Sequence, residues 1–93
     1  MKVYYLVCFD ISGDRVRNQV GRLLLRHGQR VQESVFEIAL SSSRELERLK
    51  IRLTLILEEE NELRFYRLCL DCRKASHRID GMQLAGFPAV VII

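Results

Sequence analysis

Apolar and aromatic residues fill Val3 to Phe9 without a break, and the run stops at Asp10. Such a stretch predicts a central strand covered on both faces. Ser12-Gly13-Asp14 breaks it. Ser12 is a candidate N-cap, and Asp14 falls in a first helical turn, where the dipole favours an anion. A helix is predicted over residues 13–27, because Val16, Val20, Leu23 and Leu24 form one apolar stripe. Arg15, Arg22 and Arg26 flank that stripe, and Gly28 is positioned as a left-handed C-cap. From 28 to 40 the pattern alternates. Ser34, Phe36, Ile38 and Leu40 share one face, and Glu33, Val35, Glu37 and Ala39 the other. We read two strands there, reversing near Gln32 to Ser34, in preference to one long strand.

Ser41-Ser42-Ser43 ends the extended region, and Ser42 with Glu45 makes a capping-box pattern. A helix is predicted over 44–59. Leu46, Leu49, Leu53, Ile56 and Leu57 share one face, while Ile51 and Leu55 face away. Asn61 suits the turn out, and residues 63–69 alternate as another strand. Residues 71–86 are mostly polar and read as a linker, and the apolar residues 87–93 read as a closing strand. The order βαββαβ plus a tail predicts an α+β, ferredoxin-like fold, with an antiparallel sheet and two helices on one face. All 93 residues form a single domain, with core 1–70, linker 71–86 and tail strand 87–93. The helix-free sheet face and the unplaced tail both point to a homodimer in which the tail strand joins the partner's sheet.

Composition narrows this reading only slightly. A chain of this length buries roughly 60–65% of its unfolded surface, so a partner would add much to its stability. One proline, five glycines and 48% hydrophobic residues exclude a disordered or collagenous chain. A net charge of +3 and a pI near 9.0 lean mildly towards nucleic acid. No signal peptide is expected, and no run approaches the ~20 apolar residues of a membrane span. Three cysteines fit a reducing, cytoplasmic setting better than a disulfide framework.

Three local patterns coincide: a strand ending in Phe9-Asp10, the helix start Ser12-Gly13-Asp14-Arg15 with Arg17, and Gly28 to Glu37, GQRVQESVFE. Together with Leu68-Cys69-Leu70-Asp71-Cys72 and the apolar end, this combination resembles CRISPR-associated protein 2, over nearly the whole chain. The resemblance implies a homodimeric adaptation protein. Such a dimer bridges the CRISPR integrase, CRISPR-associated protein 1, and binds DNA backbone during spacer acquisition. It also implies a metal-dependent endonuclease acting on single-stranded RNA or on DNA, with Mg²⁺, replaceable by Mn²⁺, as cofactor. The family's catalytic, metal-holding aspartate falls on Asp10. Its nucleic-acid-binding positions fall on Arg15, Arg17, Arg30, Ser34 and Phe36. Phe9 stands where tyrosine is common, and Glu33 departs from the expected aromatic or amide residue, placing an acid near an anionic substrate.

On the residues alone, Asp10 also reads as a turn acceptor, and Phe36 as core. The stripe Arg15, Arg17, Arg22, Arg26 and Arg30 reads equally as a solvated face. Twelve arginines against three lysines favour phosphate, which the guanidinium fork grips in pairs of bonds. Cys69-x-x-Cys72 supplies two zinc ligands, and nothing fixes the others, so structural cysteines are the plainer reading, ahead of zinc or a redox pair. His27, on the apolar side of its helix, and His77, in the expected linker, are poor general bases. A non-catalytic nucleic-acid scaffold stays open beside the nuclease. So does an RNA-binding ferredoxin-like module, although three tyrosines and four phenylalanines offer few stacking platforms.

Overall fold

A computed structural model describes residues 2–81. The expected tail strand, 87–93, lies outside them, as does the end of the expected linker. The elements are β1 (Val3–Asp10), α1 (Asp14–Leu25), β2 (Gly28–Gln32), β3 (Val35–Leu40), α2 (Ser43–Ile56), β4 (Glu62–Leu68) and α3 (Leu70–Ala75). The four strands form one sheet in the order β2-β3-β1-β4. Each neighbouring pair is antiparallel. This is the α+β, ferredoxin-like arrangement expected from the element order.

Alternation along β1 sorts its side chains between two environments. Val7 and Phe9, followed by Ile11, join Phe36, Ile38 and Leu40 of β3. Val20, Leu23 and Leu24 of α1 and Leu49 and Leu53 of α2 close this core from above. Burial at these positions is the main stabilising term, about 1.5–3 kcal/mol for each large side chain. The predicted stripes of both long helices are thus the buried ones. Ile51 and Leu55 face away as expected, 61% and 82% exposed.

Several boundaries move for physical reasons. Ser12 does not cap α1; the N-cap is Gly13, with no side-chain cap bond. Arg17 takes over the work at this end. Its Nη1 donates to the carbonyls of Ile11 (3.0 Å) and Ser12 (3.3 Å), and its Nη2 donates to the Asp14 carboxylate. Gly28 is not a left-handed cap either. Gly81 holds the only positive φ among the described residues. Gly28 begins β2, where a Cβ would lie 1.9 Å from the Glu37 carbonyl oxygen and 2.6 Å from Ile38 Cα. Close strand approach, rather than backbone handedness, demands glycine there. The α2 helix stops at Ile56, short of Glu58-Glu59-Glu60, because three carboxylates at a helix C-terminus oppose its dipole. Asn61 closes the exit, its Oδ1 accepting from Glu58 N–H at 2.8 Å.

The reversal between β2 and β3 falls at Glu33–Ser34, so 28–40 is two strands. The expected linker begins with a helix, α3. Its sequence signal was the dipole pattern of Asp71 in the first turn and Arg73 and Lys74 in the last.

The Ser42 cap forms, while the Glu45 carboxylate accepts from one residue before the N-cap rather than from the N-cap itself. Ser42 Oγ accepts from Glu45 N–H at 3.2 Å, and Glu45 reaches back to the N–H of Ser41. The Ser41 N–H holds the Glu45 carboxyl below the usual carboxylate range, with the nearby His27 adding to the effect. Ser42→Ala is expected to destabilise the fold by about 1 kcal/mol, the usual cost of a lost N-cap. A urea melt with unchanged slope checks it, and an unshifted midpoint would deny the cap its role.

Candidate metal and nucleic-acid site

One face of the sheet carries α1 and α2. The other presents the alternate row Tyr4, Leu6, Cys8 and Asp10 of β1. Register extends this row sideways: Leu6 lies between Glu37 and Tyr66, Cys8 between Val35 and Arg64, and Asp10 opposite Glu62. Tyr4 is covered from α3, with Arg73 Cζ 3.6 Å from its ring centroid. The rest of this face has no helix over it among the described residues.

Asp10 ends the strand with its side chain exposed. Its carboxylate makes no hydrogen bond or ion pair to the described residues. Beside it runs a shallow cleft of about 250 Å³, lined by Cys8, Phe9, Asp10, Glu62, Arg64 and Tyr66. Along its β4 side, Arg64 Nε donates to Glu62 Oε1 at 2.8 Å, and Arg64 Nη1 donates to Tyr66 Oη at 3.2 Å. Carboxylates directly opposite in an antiparallel pair repel, and a cation between them relieves that repulsion. Arg64 answers for Glu62, and Asp10 stays unpaired.

Asp10 and Glu62 are hard oxygen donors of the kind Mg²⁺ takes, since Mg²⁺ keeps several waters and is completed by phosphate. Among the described residues no group of three or more Asp, Glu, His or Cys gathers as an all-protein cage. Two carboxylates alone do not make a cage, so a hard cation held here would take its remaining oxygens from elsewhere.

The other sequence-derived residues separate into groups. Arg15 is exposed at the start of α1 and has no partner among the described residues, so its guanidinium is available to phosphate. Arg17 is occupied by the β1–α1 loop and acts there as a brace. Ser34 sits in the hairpin turn beside the end of β1, and its carbonyl accepts from Phe9 N–H at 3.1 Å. Arg30 and Phe36 pair with each other across β2 and β3, on the helix-bearing side of the sheet. The sheet itself therefore parts them from Asp10. Phe36 is 0% exposed, stacked on Phe9 with ring centroids 5.9 Å apart, and covered by the Arg30 guanidinium at 5.6 Å. No base can reach its ring without opening the core, so Phe36 is a core residue and the stacking role is withdrawn. Glu33 is exposed in the turn.

Glu62, Arg64 and Tyr66 were missed by the sequence reading. Their alternation was visible, but only the β1–β4 register puts them beside Asp10. Neither histidine belongs to the cleft: His27 Nδ1 lies 3.6 Å from Glu45, and His77 lies against the Ala75 carbonyl.

Glu37 shares the uncovered face, and partial burial pushes its carboxyl above the ordinary range. A raised carboxyl pKa favours the protonated fold, so stability is greatest below the unfolded value and falls as pH rises through the folded one. Glu37→Gln should therefore stabilise the protein at neutral pH and flatten its stability profile just above the ordinary carboxylate range. Thermal melts across pH 4 to 8 check this, and an unchanged profile would count against burial as the cause.

Comparison with known proteins follows the same lines. A family model described as CRISPR associated protein Cas2 matches residues 1–75. The CRISPR-associated endoribonuclease Cas2 1 of Chloroflexus aurantiacus is 45% identical over 74 residues, covering 77% of this chain and 78% of its own. The CRISPR-associated endoribonuclease Cas2 3 of Synechocystis sp. is 45% identical over 84 residues, covering 90% and 85%. A solved chain from a partial Cas6-RT-Cas1–Cas2 complex superposes with a TM-score of 0.82 at 38% identity, covering 98% of this chain and 99% of that one.

Proposed function

Because this chain belongs to the Cas2 family of CRISPR-associated proteins, we propose that it acts in spacer acquisition as a homodimer that bridges the Cas1-type integrase, holds DNA by its backbone, and cuts RNA or DNA phosphodiesters with Mg²⁺. The supporting observation is the placement of Asp10: an exposed, unpaired carboxylate at the end of a central strand, on the sheet face that α1 and α2 leave open. A second copy packed on that face by a two-fold axis supplies a second Asp10, which makes each chain half of a site.

Asp10 would hold the cation, together with the Asp10 carboxylate of a second copy. Bound there, Mg²⁺ would supply charge neutralisation at a phosphate and a water of lowered pKa. Arg64 is tethered only by exposed contacts, so an incoming phosphate can displace Glu62 as its partner. Arg15 grips the backbone further along, positioning nucleic acid without reading its sequence.

Duplex binding across a salt series tests the backbone contact. Arg15→Ala is expected to weaken binding uniformly across sequences and to reduce the slope of log K against log salt by about 1. Asp10→Asn should bind as the parent does, since its task is the cation. An unchanged slope in Arg15→Ala would remove Arg15 from the interface. Parental binding by Asp10→Asn together with parental cutting would leave a scaffold whose cleavage does not depend on this aspartate.

A further inference from the structure

Two thiols meet where β4 passes into α3. Cys69 and Cys72 are exposed and unbridged, with their Sγ atoms 3.0 Å apart. Cys72 N–H donates to Cys69 Sγ at 3.2 Å, so the Cys69 side chain caps the turn that Cys72 ends. Contact with the Cys72 thiol, then with its backbone N–H, holds the Cys69 thiol below the ordinary range, while Cys69 pushes Cys72 up. The arrangement divides the labour of exchange chemistry: one accessible sulfur stabilised as thiolate, and one neighbour in reach to resolve it. No third metal-ligating side chain joins them among the described residues, which leaves a soft-metal site incomplete.

We propose that Cys69 and Cys72 form a reversible thiol–disulfide site that exchanges with low-molecular-weight disulfides, Cys69 attacking and Cys72 resolving. The Cys69 thiolate attacks one sulfur of the small disulfide. A mixed disulfide forms, and one small thiolate leaves and takes a proton from solvent. Cys72 then gives up its proton, and its thiolate attacks Cys69 Sγ. That step breaks the mixed bond and expels the second small thiolate, which is protonated in turn. Two protein thiols become one disulfide, and one small disulfide becomes two thiols.

The bond is suited to reversal. It closes only a very short loop, so it restricts the unfolded chain little and adds little global stability. The N–H donated to Cys69 favours the reduced form, and exposure leaves both directions open to exchange. Oxidation would fix the turn from which Arg73 projects over Tyr4, at the end of the uncovered sheet face.

The test equilibrates the full chain in glutathione buffers of rising disulfide fraction, quenches with acid and alkylating agent, and maps the peptides. A Cys69–Cys72 linked peptide should accumulate and disappear again in reduced glutathione, with Cys8 outside the linkage. In Cys72→Ser, glutathione should remain on Cys69. In Cys69→Ser, Cys72 should react at least about tenfold more slowly than Cys69 does in Cys72→Ser. No linked peptide at any ratio, a bridge to Cys8, or faster capture of Cys72 than of Cys69 would overturn the assignment. The parent chain alone decides the first two of these, whatever the variants do.

Discussion

Asp10→Asn is expected to lower Mg²⁺-dependent phosphodiester cleavage by about 10³-fold or more, because a bound metal contributes several kcal/mol to such a transition state. The amide keeps the size of the side chain and loses the charge that the proposed cation would need. The fold has little reason to notice. Asp10 is exposed, its carboxylate has no partner among the described residues, and it faces Glu62 across the strand pair. Removing one of two opposed carboxylates relieves a small repulsion, so stability should stay within about 0.5 kcal/mol of the parent. The check is an initial-rate assay on labelled single-stranded RNA and duplex DNA, with Mg²⁺ and with chelator, beside a thermal melt. A variant that cuts at the parent's rate removes Asp10 from the chemistry.

Phe36→Ala should cost about 3–5 kcal/mol, the range for deleting a fully buried aromatic ring. For a domain whose whole stability is about 5–15 kcal/mol, that is a large share. The ring lies between Phe9 and the Arg30 guanidinium. Its loss leaves a cavity between β3 and α1, and it strips the support beneath Arg30. Phe36→Leu, which keeps most of the volume, should cost about 1.5 kcal/mol or less. Urea midpoints at constant slope measure both. A well-folded Phe36→Ala that lost nucleic-acid binding with no loss of stability would restore the stacking role withdrawn above.

How far the sequence reaches can be read residue by residue. Leu23 and Leu24, Leu49 and Leu53, and Ile38 and Leu40 share their predicted faces in the core because period 3.6 and period 2 are written directly in the hydrophobic pattern, whereas Phe36 carried a stacking role from the resemblance that its burial removes. The Ser42 cap was legible for the same reason: its signal is local. Gly28 was misread because a glycine after a helix has two uses, and only the pairing of β2 with β3 shows which applies. Arg17 looked free because the carbonyls it holds belong to a loop without a sequence signature. Glu62, Arg64 and Tyr66 reach Asp10 through strand register, a long-range property that no window along the chain contains. Asp10 was singled out by its position at the strand end and by the family resemblance, and the structure places it on the sheet face that α1 and α2 leave open.

The most direct test of a site shared between two copies is cleavage rate against protein concentration, with Mg²⁺ fixed and self-association followed by sedimentation under the same conditions. The account predicts activity per chain that rises with the dimer fraction and is absent where the chain is monomeric. Full activity per chain in a demonstrably monomeric sample would contradict it.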